Sequence, residues 1–263
     1  VVIQSSSAAT VMVMGFINAG IMDLAQATGV IIGANIGTTI TAVLIAIDVS
    51  AIAPFCIFIG TVMALFSKKQ TQKFVGQIIL GFGVLFFGLK YMSGPEAMGV
   101  LKTSAAFQAF ITKANNPFLG LLIGFIMCSV LQSSSASIGV LQALAMTSAS
   151  LMPMKFAIYL IIGINVGSAM PLFLSAIGAK TNAKRAAVIY FIFDFVGMLL
   201  FTPIALIFPQ YTEWITSLSD NGSVQVAIAH IIFKVVTAFV LLPFIKWIVK
   251  LSEIIIKPKE HDT

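Results

Sequence analysis

Charge is what this sequence has least of: 9% of its 263 residues are Asp, Glu, Lys or Arg, and only nine of those are acidic. Soluble domains carry about a quarter charged residues, so a water-facing surface around a chain of this length is excluded. Cysteine is nearly absent as well. Cys56 and Cys128 both sit in apolar runs, distant in sequence and without metal-ligand spacing, which argues against a disulfide framework or a zinc site and leaves them as packing residues. The two histidines, His230 and His261, are the only candidate bases of their kind, and no Gly-x-Ser-x-Gly elbow surrounds a serine run. An intramembrane serine hydrolase would have only His230 and a tail histidine to choose from as its base and no strained turn for its nucleophile, which argues against that class. The chain opens at Val1-Val2-Ile3 with neither methionine nor a charged signal region, and its amino terminus is read as truncated.

Apolar sequence is what abounds: 59% of the residues are hydrophobic and the mean hydropathy is +1.06. A hydrocarbon core of about 30 Å takes roughly 20 apolar residues per helical span. Segments 51–67, 74–93, 186–208 and 224–249 meet that need as plain spans. Lys and Arg fall in short clusters at span ends rather than along one face, which fits membrane orientation and not nucleic-acid binding. The expected class is an all-α polytopic membrane protein.

One pattern occurs twice. Gln4-Ser5-Ser6-Ser7-Ala8 recurs as Gln132-Ser133-Ser134-Ser135-Ala136, and each copy is followed by a second shared element. That element is Gly33-Ala34-Asn35-Ile36-Gly37-Thr38-Thr39, echoed by Gly163-Ile164-Asn165-Val166-Gly167-Ser168-Ala169. Polar runs in the middle of hydrophobic sequence must be satisfied by protein, ion or water. Arms 117–131 and 136–148 reach roughly 20 Å each by helical rise, too short to span singly. A re-entrant hairpin over 117–148 with Gln-Ser-Ser-Ser at its tip is expected, and a matching tip at 4–7. Segments 24–47 and 153–178 are expected to be discontinuous helices.

Charge placement favours the same layout. With 117–148 entering and leaving on one side, Lys68, Lys69, Lys73, Lys180, Lys184, Arg185, Lys246, Lys250, Lys257 and Lys259 share one face. That face is expected to be cytoplasmic. The repeats, 1–113 and 114–250, are then inverted, and 251–263 forms a cytoplasmic tail. Localisation to the inner membrane of a bacterium, as a multi-pass protein, follows as an expectation.

Each tip places a helix amino end within the membrane, where Ser5 or Ser6, and Ser133 or Ser134, can cap orphan N–H groups. Hydroxyls, amide N–H groups and helix amino ends make an anion site without Arg or Lys. Gln and Asn carbonyls, hydroxyl oxygens and freed backbone carbonyls suit a small hard cation. A desolvated divalent anion is costly at low dielectric, and neighbouring cations offset that cost. The plainer alternative is helix packing, for which Ser, Thr and a Gly-x-x-x-Gly such as Gly33/Gly37 are also used.

The doubled Gln-Ser-Ser-Ser and Gly-x-Asn-x-Gly elements, with Lys184-Arg185-Ala186-Ala187 opening a span, resemble the type II sodium-dependent phosphate cotransporter family over nearly the whole chain. The resemblance implies a sodium-coupled phosphate symporter working by alternating access, with no cofactor and with sodium as coupling ion. Phosphate would lie between the tips, on Gln4, Ser5, Ser6, Ser7, Gln132, Ser133, Ser134 and Ser135. Sodium would be held by Asn35, Thr38, Thr39, Gln132, Ser133, Asn165 and Ser168. Ala169 stands where the first repeat has Thr39, removing one hydroxyl. Relative to the family, the outer arm of the first hairpin and the helix before it are absent. Expected partners are inorganic phosphate, sodium and the lipid bilayer, with a homodimer left open beside a monomer.

Asp194 lies about 16 Å along its helix from Lys184 and Arg185, near the bilayer centre, and Lys234 lies at a similar depth from Lys246. The family has amides at the corresponding places, and a paired replacement predicts an Asp194–Lys234 ion pair. The alternative is a snorkelling Lys234 with Asp194 neutral or facing water. His230 is expected to pack through a hydrogen bond, and Asp23 and Asp48 to sit at span ends in contact with water. Two other functions remain open: carriage of another oxyanion or small carboxylate, and a membrane scaffold that transports nothing.

Overall fold

The computed structural model describes residues 3–47, 51–94, 96–97, 99–100, 104–107, 116–147 and 152–258, all helix, turn or loop, with no strand among them. Asp48, Lys259, His261, the 113/114 repeat boundary and the end of the expected tail lie outside the described residues. The helices are α1 (Ser6–Asn18), α2 (Leu24–Gly37), α3 (Thr39–Ala46), α4 (Ala53–Phe66), α5 (Gln70–Ser93), α6 (Pro117–Leu131) and α7 (Ser134–Thr147). They continue as α8 (Met154–Gly167), α9 (Met170–Ser175), α10 (Thr181–Ile207), α11 (Pro209–Ser217), α12 (Gly222–Leu241) and α13 (Ile245–Ile255).

The distribution of polarity is that of a polytopic membrane protein. Asp194, Lys234, His230, Asn35 and Asn165 are buried, while Phe55, Phe58, Phe66, Phe118, Phe239 and Trp247 point outward. Water would reverse that arrangement; lipid tolerates it. Five stretches are long and apolar enough to cross: Leu24–Ala46, Gln70–Ser93, Met154–Ser175, Thr181–Ile207 and Gly222–Ile255.

Helix starts follow local chemistry. Asp23 opens α2 in a capping box, accepting from Gln26 N at 2.7 Å while its own N–H donates to Gln26 Oε1 at 3.1 Å. The exposed Asp23 thus stands at a span end, as its sequence position suggests. Asn116 caps α6 ahead of Pro117, and Asn221 caps α12.

Two expectations are modified. The span foreseen over 51–67 is a 14-residue helix, Ala53–Phe66, about 21 Å long and shorter than a hydrocarbon core. Pro54 starts it, the extended Ser67 stops it, and it lies flat against α5. A Cβ at Gly60 would fall 2.4 Å from Leu80 N. The discontinuities in 24–47 and 153–178 are also shallower than foreseen. Thr38 and Ser168 keep right-handed helical torsions, and Thr41 N bonds back only to Thr38 O, at 3.3 Å. The hydroxyls of Thr38, Thr39 and Ser168 donate to Ala34 O, Ile36 O and Asn165 O. They compete with the backbone ladder and loosen one turn without unwinding it.

Helix α8 is the central rod, with every residue but Lys155 buried. It packs along α6 through glycines on both sides: a Cβ at Gly124 would lie 2.2 Å from Leu160 O, and one at Gly163 2.1 Å from Leu121 O. Gly163 is therefore a close-approach residue as well as part of the repeated motif. Helices α10 and α12 pack against each other and against α2 and α8. At one end of α10, Arg185 Nε donates to Ile256 O at 3.1 Å and its guanidinium lies 3.8 Å from Glu253. That contact brings the Lys180–Arg185 cluster beside α13, which carries Lys246 and Lys250.

Candidate functional site

The two serine runs have the same local structure. Gln4 and Gln132 are the only non-glycine residues with positive φ among those described, at 54° and 55°. A left-handed residue at a helix end redirects the chain, and each Gln precedes a capping serine. Ser5 Oγ accepts from Ala8 N at 3.1 Å, and Ser133 Oγ accepts from Ala136 N at 3.2 Å. Arms α6 and α7, 15 and 14 residues long, reach about 22 and 21 Å and pack on each other and on α8.

The asparagines of the second element are matched as well. Asn35 Nδ2 donates to Ile31 O at 3.1 Å and Asn165 Nδ2 to Ile161 O at 2.8 Å, which aims both amide oxygens away from their own helices. Both reach the same helix. Asn35 Oδ1 accepts from Lys234 Nζ at 2.6 Å, and Asn165 Oδ1 lies 3.3 Å from His230 Nε2. His230 and Lys234 are one turn apart on α12, so the two loosened helices converge on a single turn.

A buried polar chain joins these groups. Ser6 Oγ is 2.7 Å from Tyr190 OH, Tyr190 OH is 3.0 Å from Ser168 Oγ, and Ser168 Oγ is 3.2 Å from Asp194 Oδ2. Asp194 Oδ1 then accepts from Lys234 Nζ at 2.5 Å. The lysine side chain is 1% exposed and the aspartate 0%, so Lys234 does not snorkel. The first tip thereby connects through Tyr190 to the α8–α9 junction. The arm that leads to the second tip packs against the end of α8. Cys128, one turn before Gln132, sits where a Cβ on Gly167 would be 3.0 Å from its own Cβ.

The remaining candidates divide by exposure. Gln4 Oε1 accepts from Thr41 Oγ1 at 2.5 Å. A cavity of about 180 Å³ opens beside it, lined by Gln4, Ser5, Gly37 and Thr38 among others. Ser5 and Gln132 are exposed, Ser7, Ser133 and Ser135 half-buried, and Ser134 buried. A cavity of about 610 Å³ lies at the amino end of α12, around Asn221 and Gln225, away from this chemistry.

Tyr190 is the residue that sequence reasoning missed. Its signal was present: Tyr190 and Asp194 stand four apart on α10, as His230 and Lys234 do on α12, two polar stripes of matching period in apolar helices.

The Na+/Pi-cotransporter family profile matches residues 1–94 and 100–239. The chain belongs to this family. It is 28% identical over 261 residues to the uncharacterised protein YqeW of Bacillus subtilis, covering 98% of this chain and 82% of that one. Against the candidate inorganic phosphate export protein YjbB of Escherichia coli K12 it is 28% identical over 263 residues, which is 99% of this chain and 47% of YjbB. The human sodium-dependent phosphate transport protein 2B is 29% identical over 197 residues, 69% of this chain and 27% of the human one. The chain thus spans about half of YjbB and most of YqeW. No solved structure matches.

Proposed function

We propose that this Na+/Pi-cotransporter family member carries inorganic phosphate across a bacterial inner membrane together with sodium, by alternating access at the junction of the two repeats. The observation that carries the reading is the equivalence of the tips: the same left-handed Gln and the same Ser cap occur twice, and their partner asparagines meet on one turn of α12. Two helix amino ends, each with hydroxyls and first-turn amide N–H groups, suit an oxyanion. Phosphate would sit between Gln4, Ser5, Ser6 and Ser7 on one side and Gln132, Ser133, Ser134 and Ser135 on the other. Thr38, Thr39, Asn165 and Ser168, with Gln132 and Ser133, would supply oxygens to sodium. The two tips would dip into the membrane from opposite faces, making the repeats inverted.

A symporter is reversible, so the orientation of the gradient decides the direction of flux. The relative YjbB, named as a phosphate exporter, favours export as the physiological direction.

Proteoliposomes holding the full chain test the reading. An inward sodium gradient is expected to drive uptake of labelled phosphate, replacement of sodium by choline to abolish it, and equimolar sulfate to leave it largely intact. Flux that ignores sodium removes the coupling; displacement by sulfate removes phosphate as the preferred anion.

A further inference from the structure

We propose that the Lys234 ammonium is a tethered cation, standing in a monovalent-cation site made by Asn35 Oδ1 and Asp194 Oδ1 with Ser168 behind the carboxylate. Shortening Lys234 opens that site to sodium. The binding site stands on geometry alone; its consequence for coupling rests on the sodium–phosphate reading above.

The oxygens are placed as for a small cation. Nζ is 2.6 Å from Asn35 Oδ1 and 2.5 Å from Asp194 Oδ1, and hard cations of sodium's size hold oxygens at about 2.3–2.6 Å. Ser168 Oγ donates to the other carboxylate oxygen, Asp194 Oδ2, at 3.2 Å and so holds Oδ1 toward the cation position. Three aromatic rings surround the same point, with centroids 5.9 Å (Tyr190), 5.4 Å (Phe193) and 5.9 Å (Phe233) from Nζ. Ring faces attract cations at such distances. The carboxylate, the amide oxygen and the π faces all favour positive charge there.

The repeat gives the comparison. Asn35 and Asn165 are equivalent, yet Asn35 faces an ammonium on α12 and Asn165 an imidazole one turn away. The first element is filled by a cation that cannot leave the protein, because Lys234 is covalently part of α12. A tethered charge neutralises Asp194 in every state of the cycle and is not carried across. Transport by this chain then moves one sodium fewer than its oxygen ligands would otherwise support.

Thermal stability of the full chain in detergent tests the site without transport. Exchanging choline chloride for sodium chloride at equal ionic strength is expected to raise the midpoint of Lys234→Ala by about 5 °C and that of the parent chain by less than about 1 °C. The double variant Asp194→Asn/Lys234→Ala is expected to lose the response. Indifference of Lys234→Ala to sodium overturns the proposal, and so does an undiminished response in the double variant. If Lys234→Ala does not accumulate, Lys234→Gln is read in the same way, since it too leaves Asp194 without its cation. Phosphate uptake separates this inference from the functional reading. A parent chain that moves no phosphate, beside a sodium-stabilised Lys234→Ala, sinks the transport reading and leaves the tethered cation standing. Sodium-driven uptake beside a sodium-indifferent Lys234→Ala does the reverse.

Discussion

Asp194→Asn is expected to destabilise the protein by about 3–5 kcal/mol, the usual cost of leaving one member of a buried ion pair unneutralised. The Lys234 ammonium is 1% exposed and would face only neutral amide oxygens, with no opposite charge beside it. Changing both residues to neutral ones, Asp194→Asn with Lys234→Gln, is expected to recover most of the loss, because a buried pair is worth little more than a well-packed neutral substitute. The reversed pair, Asp194→Lys with Lys234→Asp, is expected to recover part of it. Denaturant or thermal unfolding in detergent reads all three. If the double variants are no better than the single ones, the two charges are not acting as a pair.

Gln4→Gly and Gln132→Gly are expected to separate folding from transport. Both glutamines adopt left-handed torsions, near φ 54° and 55°, which cost a non-glycine residue roughly 1–2 kcal/mol. Glycine removes that strain but adds freedom to the unfolded chain, and Gln4→Gly also gives up the bond from Thr41, so stability is expected to change by no more than about 1 kcal/mol for Gln132→Gly and about 2 kcal/mol for Gln4→Gly. The amide that would face the anion is lost. A hydrogen bond to a charged group contributes roughly 1.5–3 kcal/mol, so the apparent affinity for phosphate is expected to fall about 10- to 100-fold in uptake assays. Uptake that survives both changes would leave the tips with a purely structural role.

Much of this layout was legible because its cause is local. The doubled Gln-Ser-Ser-Ser run marks two turns that share torsions and caps, and a carboxylate and an ammonium at similar depth in apolar helices point to each other on grounds of desolvation. Contacts between distant segments were not legible. The bond from Ser6 to Tyr190 joins residues 184 apart, and Lys234 to Asn35 joins residues 199 apart, which no window of sequence reveals. The motif around Asn35 gives no sign of the lysine on α12 that donates to its oxygen. Gly163 and Gly167 read as interruptions of a helix, whereas their lack of a side chain also lets α6 and α8 touch. The helix over 53–66 fell short of a full span because hydropathy does not show where Pro54 and Ser67 set its ends.

Thiol labelling across the membrane tests the central claim, that the two serine tips approach one phosphate site from opposite faces. Ser7→Cys and Ser135→Cys are suited to it, as equivalent half-buried positions outside the capping bonds, in a chain whose Cys56 and Cys128 are replaced by alanine. An impermeant maleimide added to oriented vesicles is expected to label Ser7→Cys from one face and Ser135→Cys from the other, and phosphate with sodium to protect both. Labelling of both from the same face, or no protection of either by phosphate, would contradict it.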